Sequence, residues 1–125
     1  MRIVLSSLLL TLALSSCASG GATGGQRRSP NAITTAELRQ AEGLTAFQAI
    51  QQMRPRWLRG RGVSSVFGGL ILPKVVVDET QYREIQDLRS MSVSAIAELR
   101  FLSAADATTR FGTGYPAGAI LVSLR

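Results

Sequence analysis

Histidine is missing from all 125 residues, and cysteine occurs once. The first absence removes the commonest proton-transfer group and metal ligand at neutral pH. The second means that no internal disulfide can form. No cofactor and no metal site is expected, and the chain does not read as an enzyme. Acidic residues are also scarce, 8 against 14 basic ones. Asp78 and Glu79 are the only adjacent acidic pair, and neighbours on a strand point to opposite faces, a poor arrangement for joint action on one substrate. Ser64, Ser65 and Ser103 have no evident base. Gly60, Gly62, Gly68 and Gly69 lack the spacing that leads a phosphate-cradling loop into a helix. No apolar run reaches the roughly 20 residues that a spanning helix requires.

What the amino terminus does have is Arg2, a shorter apolar run from Ile3 to Leu14 diluted by Ser6, Ser7 and Thr11, and then Ser15-Ser16-Cys17. A basic start, a short apolar stretch and small residues before a cleavage point form an export signal. The block resembles the lipobox of bacterial lipoproteins. That resemblance implies cleavage before Cys17, a diacylglycerol on its sulfur and acylation of the new amino terminus. Each buried methylene adds about 0.8 kcal/mol, so several chains hold where one would detach. The other reading of the same residues is a secretory signal with an incidental thiol. Ala18, in place of an aspartate that would resemble an inner-membrane retention signal, points to the outer membrane with the domain facing the periplasm.

Residues 1–16 are thus read as signal peptide, 17–32 as a lipidated Gly/Ser-rich tether and 33–125 as one small domain. Without Arg2 the 14 basic residues become 13 against 8 acidic, a formal +5, which suits anionic headgroups, surface polymer or an acidic protein. Nucleic acid is not an expected partner in that compartment, and oligomeric state is not legible. Thr34-Thr35-Ala36-Glu37 has capping-box spacing and predicts a short helix to about Glu42. Thr45 caps a second, with Ala46, Phe47, Ala49, Ile50 and Met53 as its apolar stripe, stopped near Arg54 by Pro55. Residues 63–79 read as extended, Val75-Val76-Val77 as a strand buried on both faces. Tyr82, Ile85 and Leu88 fit either a helix or an exposed excursion. Ile96 to Leu102 alternates, with Ala97, Leu99 and Phe101 on one face. Ser103 caps a short helix, Gly112 ends it in the left-handed conformation and Ala119 to Leu124 is the closing strand. The sum is a small α/β (α+β) domain with a short mixed sheet and two to three short helices.

The densest charge lies in Arg54-Pro55-Arg56-Trp57-Leu58-Arg59-Gly60-Arg61. Guanidinium groups bind carboxylate and phosphate in bidentate fashion and stack on indole, so Arg54, Arg56, Trp57, Arg59 and Arg61 form a candidate surface for a partner or polyanion. In the plainer reading Trp57 and Leu58 pin the loop to the core and the arginines are solvated or pair with local acids.

Pro73-Lys74-Val75-Val76-Val77-Asp78, then Ile96-Ala97-Glu98-Leu99-Arg100-Phe101-Leu102, then the small-residue helix ending in Phe111-Gly112, then Gly118-Ala119-Ile120-Leu121-Val122, follow one another in an order that resembles the plug domain of TonB-dependent outer-membrane receptors. Residues 45 to 58 correspond to that family's leading helix, and the likeness runs over residues 45 to 125. It implies a plug-like fold. Three features depart from the family: Glu79 stands at its usual glycine, the tether shows no TonB box, and the chain stops at Arg125 where a barrel would begin. Expected, therefore, is a lipid-anchored, non-catalytic module that contacts an envelope protein, or an outer-membrane barrel, through the arginine loop. The alternative is a basic binder of anionic glycolipid or surface polymer, acting through charge.

Overall fold

The structure, a computed structural model, describes residues 28–62 and 68–125. The signal, Cys17 and most of the tether lie outside the described residues, as do Val63, Val66 and Phe67. The elements are β1 (Ala32–Ile33), α1 (Thr35–Gln40), α2 (Ala46–Met53), a 3₁₀ turn at Pro55–Leu58, β2 (Lys74–Val77), β3 (Gln81–Arg83), 3₁₀ turns at Ile85–Arg89 and Val93–Ala95, β4 (Ile96–Leu102), α3 (Ala104–Phe111) and β5 (Ala119–Leu124).

They form one mixed five-stranded sheet in the order β1-β4-β5-β2-β3. β2 and β5 run parallel, while the β1–β4, β4–β5 and β2–β3 pairs are antiparallel. β5 is central, its Ile120 standing between Val75 of β2 and Phe101 of β4. This is a small α+β domain, as the alternation of short strands and short helices predicts.

Both faces of the sheet are covered. On one, Val75, Val77, Ile96, Leu99, Ile120 and Val122 pack with Leu38 of α1, Ala49 and Ile50 of α2, and Trp57. On the other, Val76, Ala119 and Leu121 pack with Ala107 of α3 and with Tyr115. All three valines of β2 are accordingly buried, which explains a run of β-branched residues with no polar alternation.

Local chemistry sets the element ends. The Glu37 carboxylate accepts the Thr34 amide at 3.1 Å at the start of α1. At α2 the Gln48 side chain accepts the Thr45 amide at 3.0 Å, while Thr45 Oγ1 accepts the Gln48 amide at 3.3 Å. α2 ends at Met53, with Arg54 as its C-cap before Pro55. Ser103 Oγ accepts the Asp106 amide at 3.2 Å and opens α3. Gly112 closes α3 with φ +89°, but its ψ of −166° is extended rather than left-handed helical.

Three expectations need correction. Ala32, assigned to the tether by composition, is a strand residue paired with Arg100, and Ser29 and Pro30 lend their carbonyls to side chains of the domain. Within the stretch read as extended, the named strand is confined to Lys74–Val77, Leu70 and Leu72 are exposed, and Asp78 and Glu79 turn out of extended geometry with φ of +45° and +64°. In β4 a register shift between Ile96 and Glu98 displaces Ala97 from the alternation and sets Ile96 among the core residues with Leu99. The ambiguous segment resolves into the edge strand β3, with Tyr82 exposed, and a 3₁₀ turn that buries Ile85 and Leu88.

Candidate functional site

The basic loop divides in two. Arg54 and Trp57 face inward. The Arg54 guanidinium is 3.0 Å from Glu37 Oε1, donates to the carbonyls of Ser29, Ala32 and Met53, and is only 13% exposed. Trp57 is buried, donates its indole N–H to the Pro30 carbonyl at 3.1 Å and stacks on Phe101 at 5.8 Å and 24°. These two candidates therefore hold the loop and the segment before β1 onto the domain, in line with the plainer reading of the tryptophan. Both polar groups are engaged within the domain.

Arg56, Arg59 and Arg61 are exposed and line a single groove of about 260 Å³ with Gly60, Phe101, Ser103, Ala104 and Ala117. The 3₁₀ turn at Pro55–Leu58 lies against β4 through the stack of Trp57 on Phe101. Arg61 then returns along residue 71, its amide donating to the Ile71 carbonyl at 2.8 Å. The opposite wall is the first turn of α3, capped by Ser103, and the segment entering β5. Gly118, with φ +87°, lets that segment pass close to β4: a Cβ there would run into the Leu102 carbonyl and lie 3.2 Å from the Phe101 ring.

The groove is electrostatically one-sided. Glu37 pairs with Arg54 and Arg28, Glu79 with Arg110, and Glu98 with Arg100. Asp78 accepts the Leu124 amide, Asp87 the Glu84 amide, and Asp106 the Ser103 hydroxyl. No acid lies within 4.0 Å of Arg56, Arg59 or Arg61 among the described residues, and residues 1–27 and 63–67 contain neither Asp nor Glu. Sequence reasoning located the arginines but not Phe101, Ser103, Ala104 and Ala117, which lie forty or more positions further on.

Asp78 and Glu79, the adjacent acidic pair, are not on a strand. They form the turn between β2 and β3 with φ of +45° and +64°, and each carboxylate is engaged by a different element. A second surface feature lies at the β3 edge, where Tyr82 meets Phe111 and Tyr115 with ring centroids 6.5 Å away in each case. Burial, followed by the hydrogen bond and charge of Tyr82, pushes the Tyr115 hydroxyl above the ordinary phenol range. Among the described residues no three metal-ligating side chains cluster, and no helix is long and apolar enough to cross a membrane.

Compared with protein-family models, with curated proteins and with solved structures, the chain matches none.

Proposed function

We propose that this chain is a lipid-anchored, non-catalytic module of the bacterial envelope. In this reading Cys17 is acylated and moors the domain to the periplasmic side of the outer membrane, and a plug-like body docks an envelope protein through Arg56, Arg59 and Arg61. The observation that carries the docking role is that Arg56, Arg59 and Arg61 line one groove and have no acidic partner within 4.0 Å among the described residues. Arg54, which helps hold the fold, is paired with an acid and bonded to carbonyls; Arg56, Arg59 and Arg61 have no ion pair among the described residues.

The resemblance to receptor plugs draws support from the β2–β3 turn. Glu79, at the family's glycine position, has φ +64°, a conformation that glycine adopts without strain. The element order of α2, β2, β4, α3 and β5 also follows the order of the motifs.

The test is recovery of a partner from crosslinked outer membranes. The wild-type chain should enrich a discrete envelope protein, and R56Q/R59Q/R61Q should lose it at equal abundance of the chain. An unchanged partner profile in the triple variant would refute docking through this face. Retention on anionic vesicles by the Cys17→Ser chain, falling steeply with salt and independent of any protein, would favour the glycolipid or polymer reading instead.

A further inference from the structure

The lining of the groove is mixed in a way that specifies its occupant. Arg56, Arg59 and Arg61 share the lining with Phe101, Ala104 and Ala117, and the Phe101 ring is held by its stack on buried Trp57. From this we infer that the groove seats one carboxylate side chain of a protein partner, together with an apolar residue beside it. The inference rests on the docking role proposed above and names the chemistry that the docking face recognises.

Size, charge and apolar lining each narrow the choice. At about 260 Å³ the groove falls below the roughly 300–1,000 Å³ of pockets that enclose drug-sized ligands or cofactors, so it has room for a side chain and its neighbour rather than for a nucleotide. Guanidinium forks match the planar carboxylate with two parallel N–H···O bonds. Negative charge lies just outside the lining: Ser103, a lining residue, donates its hydroxyl to the Asp106 carboxylate at 2.7 Å. A carboxylate of charge −1 meets less repulsion there than a phosphate monoester, which carries about −1.5 to −2 at pH 7. A bare inorganic anion would also leave the partly exposed side chains of Phe101 and Ala104 uncovered. A flanking apolar side chain covers them and contributes through burial. The Phe101 ring is set before any ligand arrives, because Trp57 is fixed by its hydrogen bond to the Pro30 carbonyl, and preformed sites lose less freedom on binding. Trp57 is thus a positioning residue for this site rather than part of the contact surface.

The experiment titrates the full chain in detergent micelles with acetyl-Gly-Glu-Phe-Gly-amide and reads the arginine Nε–H and Phe101 ring resonances by NMR. The expected result is a saturable shift confined to Arg56, Arg59, Arg61 and Phe101, weakened at least tenfold when Gln replaces Glu in the peptide. R59Q/R61Q should weaken it comparably, while R39Q/R83Q, an equal loss of charge on α1 and β3, should leave it unchanged. The Glu-to-Gln swap in the peptide alters nothing in the protein, so that arm stands even if the double variant does not fold. Equal response to the Gln peptide would overturn the inference, as would tighter saturation of the same resonances by inorganic phosphate or by anionic glycolipid micelles. If crosslinking still recovers an arginine-dependent partner while the Glu peptide fails, the carboxylate assignment alone falls. If both fail, the docking role falls with it.

Discussion

Arg54 and Glu37 form an ion pair at 3.0 Å across 17 residues of sequence, each side chain only 13% exposed. The pair joins the end of α2 to the first turn of α1. Through the Ser29 and Ala32 carbonyls it also ties down the segment that leads into β1. Largely buried and multiply bonded, it differs from the exposed Arg100–Glu98 pair, whose contribution is about 0–1 kcal/mol.

Arg54→Gln should therefore behave as a stability variant. Removing one partner of a largely buried, hydrogen-bonded charge pair costs about 3 kcal/mol, which for a domain of this size lowers Tm by about 12–24 °C. Calorimetry or thermal melting followed by circular dichroism checks it. Arg59→Gln, on the exposed side of the same loop, should stay within about 0.5 kcal/mol of wild type. Equal losses in the two variants would contradict the division of the loop.

The β2–β3 turn yields an opposite expectation. Glu79 has φ +64°, which costs a non-glycine residue about 1–2 kcal/mol. Its ion pair to Arg110 is exposed and is worth little in return. Glycine relieves the strain but frees the unfolded chain by about 0.4–1 kcal/mol. Glu79→Gly should thus leave the stability from urea unfolding unchanged or raise it by up to about 1 kcal/mol, while Glu79→Val should lower it.

Much of the sheet was legible in advance. Val75 to Val77, Ile96 to Leu102 and Ala119 to Leu124 carry local signatures, either consecutive β-branched residues or alternation, and Thr45 and Ser103 carry cap chemistry that acts within four residues. What escaped is non-local. Ala32–Ile33 is a two-residue strand defined only by pairing with Leu99 and Arg100. The inward turn of Arg54 depends on Glu37, and nothing in the basic run itself separates Arg54 from Arg56. The bulge after Ile96 shifts the alternation by one residue, a change that composition does not register. The groove shares this origin: its arginines were visible as a charge cluster, but the rest of its lining comes from β4, α3 and the entry to β5.

Gly118→Ala tests how the groove is shaped. With φ +87° and a Cβ that would strike the Leu102 carbonyl, alanine should cost about 2 kcal/mol or more and displace the Phe101 ring from Trp57. Lower thermal stability together with a shifted Trp57 fluorescence maximum is the expected pair of readouts. A wild-type melting curve and spectrum would show that the close approach is not needed.

Anchoring is tested at Cys17. Wild-type chain should incorporate labelled fatty acid and sediment with membranes, whereas Cys17→Ser should do neither. Fatty-acid incorporation in the Cys17→Ser chain, or an unmodified thiol in the wild type by mass spectrometry, would remove the lipid anchor from the account.

The most direct measurement places a photo-crosslinking amino acid at position 105, exposed in the first turn of α3 beside the groove, and separately at position 39, on α1, in cells expressing the full chain. Docking through the arginine face predicts one discrete protein adduct from position 105 and none of that mass from position 39. Identical adduct patterns from the two positions, or no protein adduct from position 105, would contradict it.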